Sequence, residues 1–168
     1  MSVPTPSELT HLNADGHPHM VDVGGKPDTQ REARVEARVR LGVRAFDLAR
    51  SGGHQKGDVL QVARLAGIQG AKRAAELIPL CHPLPIDAVT VDISAEPDPV
   101  EGGVLRVVCT VRTRWRTGVE MEAMTAASAA ALTIYDMLKG TERGIVIESI
   151  RLLEKKGGRS GHWKASDC

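Results

Sequence analysis

Apolar and charged side chains alternate along one long stretch of the chain, from Thr29 to Leu41. Every second position there is apolar: Ala33, Val35, Ala37, Val39 and Leu41. Glu and Arg occupy the positions between them: Glu32, Arg34, Glu36, Arg38 and Arg40. A period of two places the two sets on opposite faces of a strand. The pattern therefore predicts a half-buried strand, although the run REARVEAR would also be compatible with a helix by propensity alone.

The next segment carries helix signals. A short helix is expected from about Val43 to Arg50. A longer one is expected to begin at Asp58, a residue suited to the N-cap, and to run to about Leu77, because Pro79 prevents further helix. Its glycines, Gly67 and Gly70, lower helix propensity, so we expect them to permit close packing against another backbone.

The second half of the chain predicts two strands, a helix and a last strand. The strands run from about Ala88 to Ala95 and from about Val104 to Arg112, and the last runs from Ile145 to Leu153 before a basic, glycine-rich tail. The helix, rich in alanine, runs from about Met121 to Lys139 and ends at Gly140, a natural C′ position.

This order of elements predicts an α+β fold. We expect a mainly antiparallel, ferredoxin-like sheet with helices packed on one face. The length of 168 residues fits one domain. The expected organisation is a flexible extension over residues 1–8, one domain over 9–164 and a tail over 165–168.

Composition narrows the class of function. The chain has 22 basic and 21 acidic residues, a formal net charge of +1, so no global field attracts nucleic acid or an anionic membrane. Its three cysteines are widely spaced and form no CxxC pair, which argues against a disulfide framework and a zinc site. We therefore expect a cytoplasmic protein that needs no metal and no cofactor.

Aromatic residues make up only 2% of the chain. A platform that binds single-stranded nucleic acid stacks successive bases on several aromatic side chains. The scarcity of such side chains argues against an RNA-binding module.

Two loops combine glycine with positive charge, over residues 52–57 and 155–161. Glycine lets the backbone approach an oxyanion, and lysine or arginine adds charge-assisted hydrogen bonds. Each loop is either a phosphate-binding loop or an ordinary solvated turn or tail. Neither matches the Walker A pattern, since Gly57 precedes Asp58 in the first loop.

Three further sets of residues are candidates for chemistry. Asp136 and Lys139 are i and i+3 neighbours, and Asp136 lies within an apolar run. They form either a partly buried acid–base couple or a surface ion pair. Cys81 beside His82 favours a buried thiol next to a hydrogen-bonding histidine over a metal site. The pair formed by Lys72 and Arg73 favours a solvated face.

Four runs of sequence resemble the MoaC family of molybdenum cofactor biosynthesis. They are LTHLNADGHPHMVDV, QKGDVLQVARLAGIQGAKRAAELIPLCHPLP, TGVEMEAMTAASAAALTIYDMLKG and RLLEKKGGRSG. The resemblance spans about Leu9 to Lys164. It implies a cyclic pyranopterin monophosphate synthase, a lyase that acts on a cyclised dihydro-GTP and releases pyrophosphate. It also implies a ferredoxin-like fold and a homohexamer, a trimer of dimers with active sites at the dimer interfaces.

The resemblance also implies roles for individual residues. The catalytic residues are expected to be Lys56, Asp136 and Lys139. The substrate contacts are expected to include Arg31, Lys72, Leu80, Cys81, His82, Glu120, Met121, Glu122 and Lys155. Arg159 stands where many members carry lysine, which keeps the charge and changes the geometry.

Two functions remain open at this level. The first is the lyase, whose ring rearrangement needs several proton transfers and whose leaving pyrophosphate needs positive charge. The second is a non-catalytic nucleotide-binding regulator with the same basic loops, which needs neither an oriented Asp136 nor Lys139.

Overall fold

The computed structural model describes residues 11–13, 15–52, 57–158 and 161–166. Along the chain it has five strands and four helices in these ranges: β1 Thr29–Leu41, α1 Val43–Ser51, α2 Val59–Lys72, α3 Ala74–Leu77, β2 Ala88–Asp98, β3 Gly102–Trp115, α4 Glu120–Leu138, β4 Val146–Lys156 and β5 His162–Lys164.

The five strands form one antiparallel sheet in the order β2-β3-β1-β4-β5. β1 lies in the middle and pairs with β3 along its whole length, from Thr29 opposite Trp115 to Leu41 opposite Gly103. The first four strands and the helices α2 and α4 follow the order β-α-β-β-α-β, with β3 inserted between β1 and β2. This is the ferredoxin-like arrangement, so the predicted fold class is confirmed.

The alternation along β1 divides the sheet into two faces. Its apolar positions, from Ala33 to Leu41, are at most 1% exposed and belong to the core. They face α4, which packs on β1, β3 and β4, while α2 packs on α4 and β2. The charged positions of β1 therefore lie on the face opposite the helices.

Glu36 is buried on that opposite face, with 2% of its surface exposed. Its carboxylate accepts hydrogen bonds from Nε of Arg106 and, at 3.1 Å, from Nε of Arg151. Burial raises the pKa of a carboxyl group, but the hydrogen bonds and charges of the two arginines outweigh it and lower the pKa of Glu36. A buried charge is tolerated here because both of its oxygens have a cationic partner.

The two glycines of α2 face α4, as predicted. A Cβ on Gly70 would lie 2.9 Å from the carbonyl oxygen of Thr125, and one on Gly67 would lie 3.3 Å from that of Ala126. The absence of side chains lets the helices approach until backbone meets backbone.

Several boundaries differ from the prediction. The long helix is interrupted at Arg73, whose φ of −109° and ψ of 10° are not helical, so that α3 is a separate turn of helix. The tail after Lys156 turns back at Gly157 and Gly158 and adds β5 to the edge of the sheet. α4 ends at Leu138, and Gly140 follows without a left-handed φ.

Among the described residues, no helix is long and apolar enough to cross a membrane.

Candidate functional site

A cleft opens where the first turn of α4, the segment before β2 and the end of β4 meet. It consists of two adjoining cavities that share Lys26, Thr117, Gly118 and Glu120. The inner cavity, about 290 Å³, is bounded by residues 80–82 and 120–122. The outer cavity, about 500 Å³, is bounded by Arg31, residues 116–118 and residues 155–157. The cleft thus contains eight of the nine predicted substrate contacts.

The prolines around residues 80–82 hold this segment extended along the inner cavity. Nε2 of His82 lies 2.7 Å from the carbonyl oxygen of Val21. A carbonyl only accepts, so Nε2 carries a hydrogen and donates it to Val21. This hydrogen bond fixes the orientation of the histidine ring beside the cavity.

Glu122 lies in the first turn of α4 and is 3% exposed. Its Oε1 accepts a hydrogen bond from the thiol of Cys81 at 3.4 Å, and its Oε2 has no partner among the described residues. Burial raises the pKa of Glu122, and the nearby charge of Glu120 adds to this effect, against the lowering by hydrogen bonds from its own backbone N–H and from Cys81. Burial likewise raises the pKa of the Cys81 thiol, to about 12, so the thiol remains a donor.

Glu120 has a cationic partner. Nζ of Lys155 donates to Oε1 of Glu120 at 3.0 Å. Lys155 pairs in register with Ala33, whose side chain is on the helix-covered face, and this register directs the lysine toward α4. The two glutamates of the inner cavity therefore differ: Glu120 is ion-paired, whereas Glu122 has no cationic partner among the described residues.

The outer cavity is mainly basic. Its cationic side chains are Lys26, Arg31, Arg116, Lys155 and Lys156, against two carboxylates, Glu32 and Glu120. Gly157 and Gly158 have φ of 96° and 71°, and a Cβ on Gly158 would overlap the guanidinium group of Arg31. Nε of Arg31 is buried without a hydrogen-bond partner among the described residues. Excess positive charge and the unpaired donor of Arg31 suit an anionic ligand.

Lys72 is the predicted contact that lies outside the cleft. It borders a separate pocket of about 160 Å³, and His82 and Glu122 form part of the wall between this pocket and the inner cavity. The helix break at Arg73 follows directly after it.

Asp136 and Lys139 lie at the other end of α4. Nζ of Lys139 donates to Oδ1 of Asp136 at 2.6 Å, but the side chains are 57% and 62% exposed for the lysine and the aspartate. Of the two alternatives, a single chain therefore shows the surface ion pair, because Asp136 lies on the solvent side of a helix whose apolar face is made mainly by its alanines. The hydrogen bond from Lys139 to Asp136 raises the lysine pKa.

Two predicted residues, Lys56 and Arg159, lie outside the described residues. Conversely, the cleft is also lined by Lys26, Arg116, Thr117 and Gly118, for which no role was predicted. The turn at residues 116–118 joins a strand to a helix. Binding residues are often found in such connections, and this position was the signal in the sequence that could have identified them.

The profile of the MoaC family matches residues 20–158, which include β1 through β4 and the whole described cleft except His11. The chain belongs to the MoaC family. Membership places it in molybdenum cofactor biosynthesis. Among solved structures, the chain is similar to one entitled "The crystal structure of AtUAH in complex with (S)-hydroxyglycine", with 11% identity and a TM-score of 0.40. That match covers 83% of this chain but spans only 30% of the other.

Proposed function

We propose that the chain is a cyclic pyranopterin monophosphate synthase. It converts (8S)-3′,8-cyclo-7,8-dihydroguanosine 5′-triphosphate to cyclic pyranopterin monophosphate and releases pyrophosphate. Membership of the MoaC family supports this proposal, together with the division of the cleft into a basic outer cavity and an inner cavity that holds acid–base groups.

The division of the cleft is the observation that carries the proposal. The outer cavity suits the triphosphate, since its cations neutralise the charge that develops on the leaving pyrophosphate. The inner cavity suits the ring system, because His82, Glu120 and Glu122 offer groups in different protonation environments at one wall. Closing the cyclic phosphate and rearranging the ring thus take place at neighbouring parts of one ligand.

The distance along α4 indicates how Asp136 and Lys139 take part. Glu122 and Asp136 are 14 residues apart in one continuous helix, which is about 21 Å along its axis. One nucleotide ring cannot contact both. A two-fold interface, in which a second copy brings its Asp136 and Lys139 to the cleft, meets this requirement. Burial at such an interface would also lower the pKa of Lys139 toward the range of a working acid or base.

We therefore propose a homo-oligomer, a trimer of dimers, in which Lys56, Asp136 and Lys139 act on the substrate. Arg31 and Lys155 hold the polyphosphate end, and Glu120 faces the ring system. Leu80, Cys81, His82, Met121 and Glu122 contact the ring system. Lys72 completes the wall behind His82 and Glu122 from its separate pocket.

Single-turnover conversion of the cyclised nucleotide, with a chelator present, tests this function. The lyase forms cyclic pyranopterin monophosphate and pyrophosphate in equal amounts. A nucleotide-binding regulator would bind the same compound and return it unchanged. Binding without any product at enzyme excess would therefore refute the proposed reaction.

A further inference from the structure

Two glutamates of this chain are almost equally buried, Glu36 with 2% and Glu122 with 3% of its surface exposed. Glu36 lies between two guanidinium groups, which occupy both of its oxygens. Glu122 has a thiol on one oxygen and, among the described residues, nothing on the other. The same degree of burial is thus compensated by charge at one glutamate and not at the other.

The titratable groups around Glu122 leave this imbalance in place. From the inner cavity it faces His11, Lys26, Cys81, His82 and Glu120, and from the pocket behind it Lys72 and Glu76. The ammonium group of Lys155 is bonded to Glu120, and Nε2 of His82 is bonded to Val21. An enclosed carboxylate oxygen without a donor is strongly destabilised, whereas the neutral acid loses much less on burial.

We propose that Glu122 enters the reaction as a neutral carboxylic acid and donates its proton to the substrate, with Cys81 as the residue that positions it. This inference rests on the proposed function, since the acceptor is a lone pair on a ring nitrogen or oxygen of the cyclised nucleotide. The proton passes from the carboxyl group to that atom, so the ligand gains one positive charge and Glu122 one negative charge. The hydrogen bond from the Cys81 thiol to Oε1 stabilises the new carboxylate. After the product leaves, the carboxylate takes up a proton from solvent.

Roles for both glutamates follow from their partners. Glu120, paired with Lys155, serves as the charged member, and Glu122 serves as the acid. When two carboxyl groups of one site have different surroundings, one commonly stays charged and the other commonly acts as the acid. Cys81 keeps the carboxyl group oriented, because its thiol donates to one oxygen and leaves the other for the proton.

Carbon-13 NMR of the whole protein, labelled at the glutamate carboxyl carbon, tests the protonation state without any substrate. The Glu122 signal is assigned by its loss in Glu122→Gln. Glu36 is the burial-matched control, and its signal is assigned by its loss in Glu36→Gln. If Glu36→Gln does not fold, Glu154 serves as the reference, assigned in the same way by Glu154→Gln. We expect Glu122 to titrate above the usual pH range of glutamate and both references to titrate below it. A midpoint for Glu122 at or below the usual range would overturn the inference.

Substitutions of Cys81 test its positioning role by the same measurement. Cys81→Ala removes a hydrogen bond that lowers the Glu122 pKa, so the midpoint should rise. Cys81→Ser supplies a stronger donor and should lower it. An unchanged midpoint in both variants would show that Cys81 does not act through Glu122.

Turnover tests the donor role. Glu122→Gln keeps the shape and neutrality of the acid but has no proton to release, so kcat should fall by roughly 10²–10⁴ while KM changes much less. A wild-type kcat would remove the donor role. The results distinguish the two proposals: a high Glu122 midpoint in a protein without turnover overturns the proposed function, and with it the donor role, but supports the neutral state of Glu122. A normal midpoint in an active enzyme overturns this inference alone.

Discussion

Glu154 shows how the partners of a carboxyl group couple it to stability. It lies on β4 and accepts hydrogen bonds from His162, at 2.7 Å, and from Arg34, at 3.2 Å, with Lys156 also within ion-pair distance. The hydrogen bond from His162, followed by that from Lys156, lowers the pKa of Glu154 to about 2. The folded chain therefore binds fewer protons at this site than the unfolded chain does when the pH is between 2 and the usual value of 4.5.

The sign of this difference predicts the acid limb of stability. The contribution of Glu154 to the free energy of unfolding is fully present above the usual glutamate pKa and is lost as the pH falls toward 2. Glu36, whose pKa is also lowered, adds a change of the same sign. Urea unfolding at a series of pH values should show Glu154→Gln with a flatter acid limb than the wild type.

Glu122→Gln provides the control with the opposite sign. A raised pKa in the folded state means that stability is lost as the pH rises from the usual glutamate pKa through the folded value. This variant should therefore gain stability relative to the wild type as the pH rises. Parallel pH profiles for Glu154→Gln and the wild type would show that the contacts of Glu154 contribute nothing to acid stability.

The role proposed for Lys139 is not explained by its exposed position in one chain. Its Asp136 partner favours the protonated lysine, so the residue enters as an ammonium group. Lys139→Ala should fold normally and lose roughly 10²–10⁴ in kcat, the usual contribution of a positioned acid or base. Lys139→Arg is the matched control, because arginine keeps the charge and cannot release a proton. Near-normal kcat in Lys139→Ala, or full rescue by arginine, would contradict a proton-transfer role.

At the residue scale, the sequence predicted which residues border the cleft better than it predicted how buried each side chain is. Arg31 occupies an odd position of β1, the set that is apolar from Ala33 to Leu41, and this break in the alternation marks where the core ends and the cleft begins. The burial of Glu122 was not predictable from its neighbours in sequence, because it depends on Cys81, 41 residues away. The sequence also left open whether Asp136 is buried or exposed, since an apolar neighbourhood in sequence does not fix which side of a helix faces water.

The pairing of α2 with α4 shows how small residues set the distance between two helices. Gly67 and Gly70 on α2 meet the alanine-rich surface of α4. This contact places the first turn of α4 over the sheet, where Glu120 and Glu122 border the cleft. The packing of these helices thus supports the geometry of the site.

Gly70→Ala tests that contact. The new Cβ would lie 2.7 Å from Cβ of Ala129 and 2.9 Å from the backbone oxygen of Thr125, so the helices must shift apart. Overpacking costs about 1–3 kcal/mol, and the better helix propensity of alanine offsets up to about 1 kcal/mol of it. The free energy of unfolding from urea titration should therefore fall.

Gly140→Ala is the matched control, since a Cβ there meets nothing within 4 Å and the backbone has no left-handed φ. It should remain within about 0.5 kcal/mol of the wild type. Equal effects of the two substitutions would mean that the α2–α4 contact is not the cause.

Element boundaries were predictable where one strong pattern covers the whole element. β1 matches its alternating stretch from Thr29 to Leu41, and α4 begins one residue before the predicted start. At the helix break, Arg73 is neither glycine nor proline, so the sequence has no local signal for it. β5 has only three residues, and its pairing with β4 depends on the turn at Gly157 and Gly158. Short elements of this kind depend on tertiary contacts that local sequence does not encode.

At the scale of the whole molecule, the candidate catalytic residues lie in separate regions of one chain. The cleft is at the start of α4, and Asp136 and Lys139 are at its end, about 21 Å along the axis. The sequence was sufficient to predict the fold and this separation, because both follow from the length and order of its elements. How two copies meet depends on surfaces that a single chain does not define.

Complementation between two inactive variants tests the shared site directly. Glu122→Gln chains and Asp136→Asn chains are unfolded, mixed in equal amounts and refolded together. If each site takes Glu122 from one chain and Asp136 from its partner, every mixed dimer has one site with both defects and one with neither. Random pairing makes half of the dimers mixed, so about a quarter of all sites should recover activity. No recovery above the separate variants, with mixed dimers confirmed by mass spectrometry, would place both residues in the site of one chain and contradict the account.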